Sequence, residues 1–250
     1  MPRAVAGAPK RRGRVSPGFP RAAVPTQWNP ALSTSSPCLA WYFDFVSPYA
    51  YLQFAAHPEL FRREDVVLKP VVFAGLLAHW GHKGPAELPT KRLHTYRQVL
   101  WLAAKLGVEM RFPPGHPFNP LHVLRLAVAL GAREAPVRTI FEFIWREGRD
   151  PNVEMKTLAA RLGIPDPAAA SGDPDVKAKL RTNGEEAIGA GVFGVPTFAV
   201  AAAKPGGVPL LFWGCDSTPM LRDYLADPRL FESDTMRALE RLPFAAARKA

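Results

Sequence analysis

Ser47 is the residue whose position in this sequence could do chemistry. It closes Trp41-Tyr42-Phe43-Asp44-Phe45-Val46, a run whose aromatic and β-branched first half predicts a buried strand. It precedes Pro48, and Ala50 through Ala56 are good to fair helix formers. Ser suits a helix N-cap and Pro the first helical position, where its missing N–H costs nothing. The spacing therefore predicts a strand running into a helix with a hydroxyl at the join. The free N–H groups and the positive end of the helix dipole favour an anion there. The alternative is that Ser-Pro is only a helix start. No His or Asp stands around Ser47 in a known serine-triad pattern.

A second stretch bears on that choice. Gly191-Val192-Phe193-Gly194-Val195-Pro196-Thr197-Phe198-Ala199-Val200 puts a proline at the mouth of an apolar strand. Proline cannot donate to a ladder, so this placement is unusual. A cis Val195-Pro196 bond is one way to achieve it. Cys38 and Cys215 are the only cysteines and form neither Cys-x-x-Cys nor a zinc spacing. His57, His79, His94, His116 and His122 show no metal-binding spacing, so no metal is expected.

Strand–Ser-Pro–helix early, with Gly-Val-Pro-Thr before a late strand, resembles the thioredoxin fold, in which a cis-proline loop faces the start of the first helix. Thioredoxins carry Cys-x-x-Cys there; here the four positions read Ser47-Pro48-Tyr49-Ala50. The sequence more closely resembles the 2-hydroxychromene-2-carboxylate isomerases and kappa-class glutathione transferases, glutathione-using relatives of DsbA. The resemblance rests on Phe43-Asp44-Phe45-Val46-Ser47-Pro48-Tyr49, Leu68-Lys69-Pro70, Gly81-His82-Lys83-Gly84-Pro85, Leu88-Pro89-Thr90-Lys91, Phe193-Gly194-Val195-Pro196-Thr197 and Phe212-Trp213-Gly214-Cys215-Asp216. It runs in order from about Trp41 to about Leu225. It implies an α/β class: a thioredoxin-like fold with an all-helical domain inserted between the second and third strands.

The elements that must position Ser47 read as follows. Val66–Phe73 is a second strand, making a parallel crossover with the first. Helices then dominate. Leu93, Tyr96, Leu100, Ala103, Ala104 and Gly107 form one stripe at helical spacing. Asn119-Pro120 opens a helix to Gly131, Pro136–Glu147 is another, and Asn152 caps Val153–Leu162. Pro174–Ala190 is weaker, with Gly184 inside it. The sheet resumes at Thr197–Ala202, turns at Lys204-Pro205-Gly206-Gly207 and returns over Val208–Trp213. Helices follow from Ser217-Thr218-Pro219 to about Leu225 and over Asp234–Arg241. The expected division is a disordered basic tail over 1–37, a thioredoxin-like domain over 38–73 and 192–250, and a helical insertion over 74–191.

Composition narrows the function classes. The 250 residues are 48% hydrophobic, enough for a sizeable core. The net charge of +10 suggests nucleic acid, but six of those charges lie in residues 1–37 and the rest are scattered, so none is expected. No run of about 18 apolar residues exists, so no membrane span is expected. Two distant cysteines do not make a secreted scaffold, and the reducing cytoplasm is the simplest compartment. The tail, basic, Ser-containing and free of acid, also looks like a transit peptide. A start assigned too far upstream is the preferred reading of it.

The resemblance assigns roles. Ser47 is the catalytic residue, stabilising a glutathione thiolate beside the helix N-terminus. The cofactor glutathione is expected against Ser47, Pro48, Tyr49, His82, Lys91, Val195, Pro196, Cys215 and Asp216. Val195 offers its backbone to the cysteinyl part, Lys91 contacts a carboxylate and Asp216 holds the γ-glutamyl amine. His82 stands where the kappa class has Asn, and Cys215 where it has Ser. Asn119 and Arg125 are expected on a small aromatic substrate, with Trp80, Tyr49 and Phe193 lining its pocket. The implied activity is glutathione-dependent isomerisation of 2-hydroxychromene-2-carboxylate-like compounds. The alternative is a kappa-like transferase or peroxidase. A thiol–disulfide oxidoreductase is disfavoured by the missing thiols, and a binding module without catalysis is a further alternative. A homodimer stays open.

Overall fold

The computed structural model describes residues 39–202, 206–243 and 245. The tail over 1–37, and Lys204 and Pro205 of the expected turn, lie outside the described residues. Four strands, β1 (Leu39–Phe43), β2 (Val66–Pro70), β3 (Thr197–Val200) and β4 (Leu210–Trp213), form one sheet in the order β2-β1-β3-β4. β1 and β2 are parallel, with Trp41 opposite Leu68. β3 runs antiparallel to both β1 and β4.

β1 is buried throughout because both faces of the sheet are covered, so its sequence reads as a continuous apolar run rather than an alternation. Leu39, Trp41 and Phe43 face one core, Ala40 and Tyr42 the other. On the larger side Trp41 stacks on Phe43 with ring centroids 4.4 Å apart and meets Phe61 edge-on at 4.6 Å. Phe141, far along the chain, reaches the same cluster, 4.7 Å from the Phe45 ring. The helical stretch and the sheet thus share one core.

Between β1 and β2 lie α1 (Pro48–Ala56) and the short α2 (Pro58–Phe61). Between β2 and β3 the chain is helical: α3 (Phe73–Trp80), α4 (Pro89–Leu106), α5 (Leu121–Ala129), α6 (Glu134–Phe141), α7 (Met155–Arg161), α8 (Pro167–Gly172) and α9 (Pro174–Gly189). After β4 come α10 (Thr218–Ala226) and α11 (Asp234–Leu239). This is an α/β, thioredoxin-like fold interrupted by helices after its second strand, as expected. No helix among the described residues is long and apolar enough to cross a membrane.

Four expectations need correction. β2 stops at Pro70 rather than running to Phe73. Pro70 sits on an edge strand, where its missing N–H is tolerated, and Val72 becomes the N-cap of α3. On α4 the buried face is Thr95, Val99 and Ala103, while Leu93 and Leu100 are about half exposed. Of the expected stripe Ala103 is buried and Tyr96 half-buried, while the rest faces outward. Asn152 caps nothing: Glu154 is the N-cap of α7, and the Asp150 carboxylate accepts from the Asn152 N–H instead. The helix expected to run from Pro136 to Glu147 starts at Glu134, and after Phe141 it widens into a π turn over Glu142–Arg146. α8 was not foreseen; Asp166 caps it by accepting from Ala169 N–H at 2.9 Å.

Candidate active site

The join between β1 and α1 is built as the local chemistry requires. Ser47 is extended (φ −88°, ψ 113°), its Oγ accepts from the Ala50 N–H at 3.3 Å, and Pro48 takes the first turn. The Ser47 side chain is therefore an N-cap. It is also more than that, because its hydroxyl lies 3.5 Å from the Val195 carbonyl oxygen. At that distance the O–H is a weakly committed donor, aimed at the loop where Val195-Pro196 is a cis peptide. Gly214 N–H donates to the Pro196 carbonyl at 2.8 Å and Thr197 Oγ1 to the Gly194 carbonyl at 2.7 Å, holding that loop at the mouth of β3.

The segment from Asp44 to Ser47 is held by side chains from elsewhere. Asp44 accepts from Val46 N–H at 3.0 Å and Phe73 N–H at 2.9 Å. Its burial pushes the carboxyl up to about 7, against the opposing pull of those amides. The Trp145 indole donates to the Phe45 carbonyl at 2.8 Å, and His116 Nε2 lies 2.8 Å from the Val46 carbonyl oxygen. Behind α1, Gln53 accepts from the Trp41 indole at 2.7 Å and donates to Thr218 Oγ1 at 2.9 Å and the Gly214 carbonyl at 3.2 Å. It binds the strand, the helix and the turn after β4 into one frame.

A cavity of about 770 Å³ opens on this join. Of the residues singled out in the sequence, Ser47, Pro48, Tyr49, His82, Lys91, Asn119, Phe193 and Val195 line it. Tyr49 donates to Gln98 Oε1 at 2.8 Å, and its hydroxyl is pushed up to about 12 by burial and then by Cys215 and Asp216. Cys215 and Asp216 are not on the cavity wall, but both are near enough to act on the Tyr49 hydroxyl. Burial, then Asp216, pushes the Cys215 thiol up to about 11, which makes it a poor nucleophile. Pro196 is not on the wall. Trp80 is off the wall, its indole tied to the Val192 carbonyl at 2.9 Å. Arg125 is off the wall too, with its Nε buried and without a hydrogen-bond partner among the described residues.

Several wall residues carried no functional signal in the sequence: Phe73, Thr95, Tyr96, His116 and Phe118. Tyr96 stood on an apolar stripe and His116 in a proline-rich loop, and neither has a local motif. The mouth carries exposed His82, Lys83 and Lys91 against Glu87, so it is net basic. The arrangement offers a hydroxyl at a helix N-terminus, a carbonyl facing it, an aromatic wall and a basic rim. That set suits an anionic, partly aromatic ligand carrying a polarisable nucleophile.

The family model of the DSBA-like thioredoxin domain matches residues 39–226, and the chain belongs to that family. It is 27% identical over 208 residues to glutathione S-transferase kappa 2 of Caenorhabditis elegans, covering 75% of this chain and 91% of that one. It is 28% identical over 197 residues to 2-hydroxychromene-2-carboxylate isomerase of Sphingobium xenophagum, covering 75% and 97%. Among solved structures, a 2-hydroxychromene-2-carboxylate isomerase superposes with a TM-score of 0.62 at 21% identity, covering 82% of this chain and 99% of that one.

Proposed function

We propose that this DSBA-like chain is a glutathione-dependent isomerase acting on 2-hydroxychromene-2-carboxylate-like aromatic substrates, with Ser47 as its catalytic residue. The observation that carries the reading is the Ser47 hydroxyl: it caps α1, faces the Val195 carbonyl, opens on the cavity, and stands where a thiol-exchange enzyme would need a cysteine. Its proton is weakly engaged, so it is available to an incoming anion.

The residues fit glutathione by the chemistry of their donors. Ser47 Oγ and the α1 N-terminus suit a thiolate, Val195 the peptide backbone, Lys91 and His82 a carboxylate, and Asp216 an ammonium. When bound, glutathione supplies a thiolate nucleophile able to add reversibly to a conjugated carbon. Ser47 would donate its hydrogen bond to that sulfur, favouring the ionised form. Asp44, His116 and Trp145 keep the Ser47 segment in place, so little reorganisation is needed. Phe73, Tyr96 and Phe118 would flank the aromatic substrate and exclude water, and Asn119 would orient it at the rim.

A kappa-like transferase reading uses the same thiolate, and the nematode relative favours it. Full-length protein incubated with glutathione and a chromene carboxylate distinguishes the two. An isomerase interconverts ring-closed and open substrate with no net loss of free thiol. Stoichiometric loss of thiol with a conjugate would select the transferase. Neither change would remove both.

A further inference from the structure

His116 stands 69 positions after Ser47 in the sequence, yet its ring abuts the Ser47 segment. A carbonyl oxygen only accepts, so the 2.8 Å contact to the Val46 carbonyl requires the proton on Nε2. Nδ1 of the neutral ring is then an acceptor; Tyr96 Oη lies 2.6 Å from it and 2.8 Å from the His116 carbonyl oxygen, and because that carbonyl already accepts from Arg92, the single Tyr96 proton goes to Nδ1. Tyr96 Oη in turn accepts from Arg92 Nε at 2.9 Å, while Arg92 Nη2 donates to the His116 carbonyl at 3.0 Å. Every polar atom of the ring is used, and the order of donors runs one way, from the surface guanidinium to the carbonyl just before Ser47. Burial holds His116 below its ordinary value and Arg92 adds to that, outweighing the Val46 carbonyl, so the ring is neutral as this order needs.

Packing alone does not call for a histidine here. The ring sits among Phe112, Phe118 and Trp145, with Trp145 edge-on at 5.4 Å, where an apolar ring would pack as well without burying an imidazole. What the imidazole adds is one donor, pointed at one carbonyl. Trp145 holds the preceding carbonyl, of Phe45, by the same device.

We infer that His116 is a positioning residue for Ser47: through Val46 it fixes the hydroxyl at the α1 N-terminus, with its tautomer set by Tyr96 and Arg92. The inference deepens the function proposed above, but only its thiol readout rests on that reading. Fully used polar networks specify one geometry, and this one ends beside the reacting position.

The test uses full-length protein with His116→Gln, whose side-chain amide can still donate to Val46, and His116→Leu, which cannot. Amide hydrogen exchange of Ser47 and Ala50 should quicken roughly tenfold in the leucine variant and stay within about twofold of wild type in the glutamine variant, the worth of one hydrogen bond. With glutathione as probe, the bound thiol should titrate about one unit higher in the leucine variant only. Equal behaviour of the two variants, changed or unchanged, would overturn the inference. If the leucine variant does not fold, imidazole nitrogen shifts of the wild type decide: Nε2 protonated with Nδ1 bare supports it, and the opposite tautomer overturns it. Should exchange respond while wild type binds no glutathione, the positioning role stands and the proposed function falls.

Discussion

Asp44 and Phe73 are joined by a 2.9 Å hydrogen bond from the Phe73 N–H to Asp44 Oδ2, which ties the loop before Ser47 to the first turn of α3. No residue of α3 caps its own N-terminus; the carboxylate arrives from another element, 29 residues away. It is fully buried, and it lines the cavity.

That burial predicts a pH dependence. The Asp44 carboxyl titrates at about 7 in the folded chain, against 3.8 ordinarily, mainly through desolvation. Folding therefore takes up a proton between those values. The contribution to stability is complete below pH ~4 and is lost as pH rises through ~7. Denaturant unfolding of wild type and Asp44→Asn from pH 4.5 to 7.5 should differ in slope by up to about 1.4 kcal/mol per pH unit. Parallel curves would mean that Asp44 stays ionised.

Ser47→Ala removes one hydrogen bond to a charged sulfur, worth roughly 1.5–3 kcal/mol. The bound thiol should titrate about one to two units higher, and turnover at neutral pH should fall by the corresponding ~10–100-fold. Raising the pH should restore part of it. Loss of the cap to Ala50 should also cost about 1 kcal/mol of stability. Thiolate absorbance against pH reads the first effect. Identical titrations would leave Ser47 as a cap only.

Lys91→Ala should give the opposite pattern. Its side chain stands at the rim, so glutathione should bind roughly tenfold more weakly, the worth of one charged contact, with the thiol titration unmoved. Calorimetry beside the same absorbance measurement checks both. Unchanged affinity would take Lys91 out of the site.

Gln53→Leu should be costly. It leaves the buried Trp41 indole without its partner and removes bonds to Thr218 and to the Gly214 carbonyl, which keeps the Ser217 hydroxyl at 2.9 Å. A loss of about 1–3 kcal/mol is expected from chemical denaturation, the cost of one stranded buried group. A change under 1 kcal/mol would show that other groups replace it.

Gly194→Ala places a methyl group 2.5 Å from the Trp213 indole nitrogen. Trp213 is about half exposed, so it can swing away, breaking its edge contact with Phe193 at 5.1 Å. The expected result is a modest loss of stability, about 1 kcal/mol, with a larger loss of glutathione binding. Adding Trp213→Ala should recover the stability but not the binding. A single variant with wild-type affinity would show that the indole does not shape the cavity.

The sequence by itself determined the join at Ser47. A strand run, an N-cap hydroxyl, a first-turn proline and helix formers are local preferences that act within a few residues, and they place the hydroxyl whatever surrounds it. Apolar runs and turn residues marked the separate strands and helices, and the order of motifs, through the resemblance, implied the α/β plan. Tertiary structure decided what holds the hydroxyl in place. His116 and Trp145 reach their carbonyls across 70 and 100 residues, and Gln53 reaches Thr218 across 165, so no local pattern marks them. It also turned the buried face of α4 toward Thr95 and Val99, keeping Ala103 but leaving Leu93 and Leu100 half exposed, and kept Arg125 off the cavity wall. Helical periodicity limits which residues can share a face. Which face turns inward is settled by the area and hydrogen bonds that the partner elements offer, and those exist only once the chain has folded.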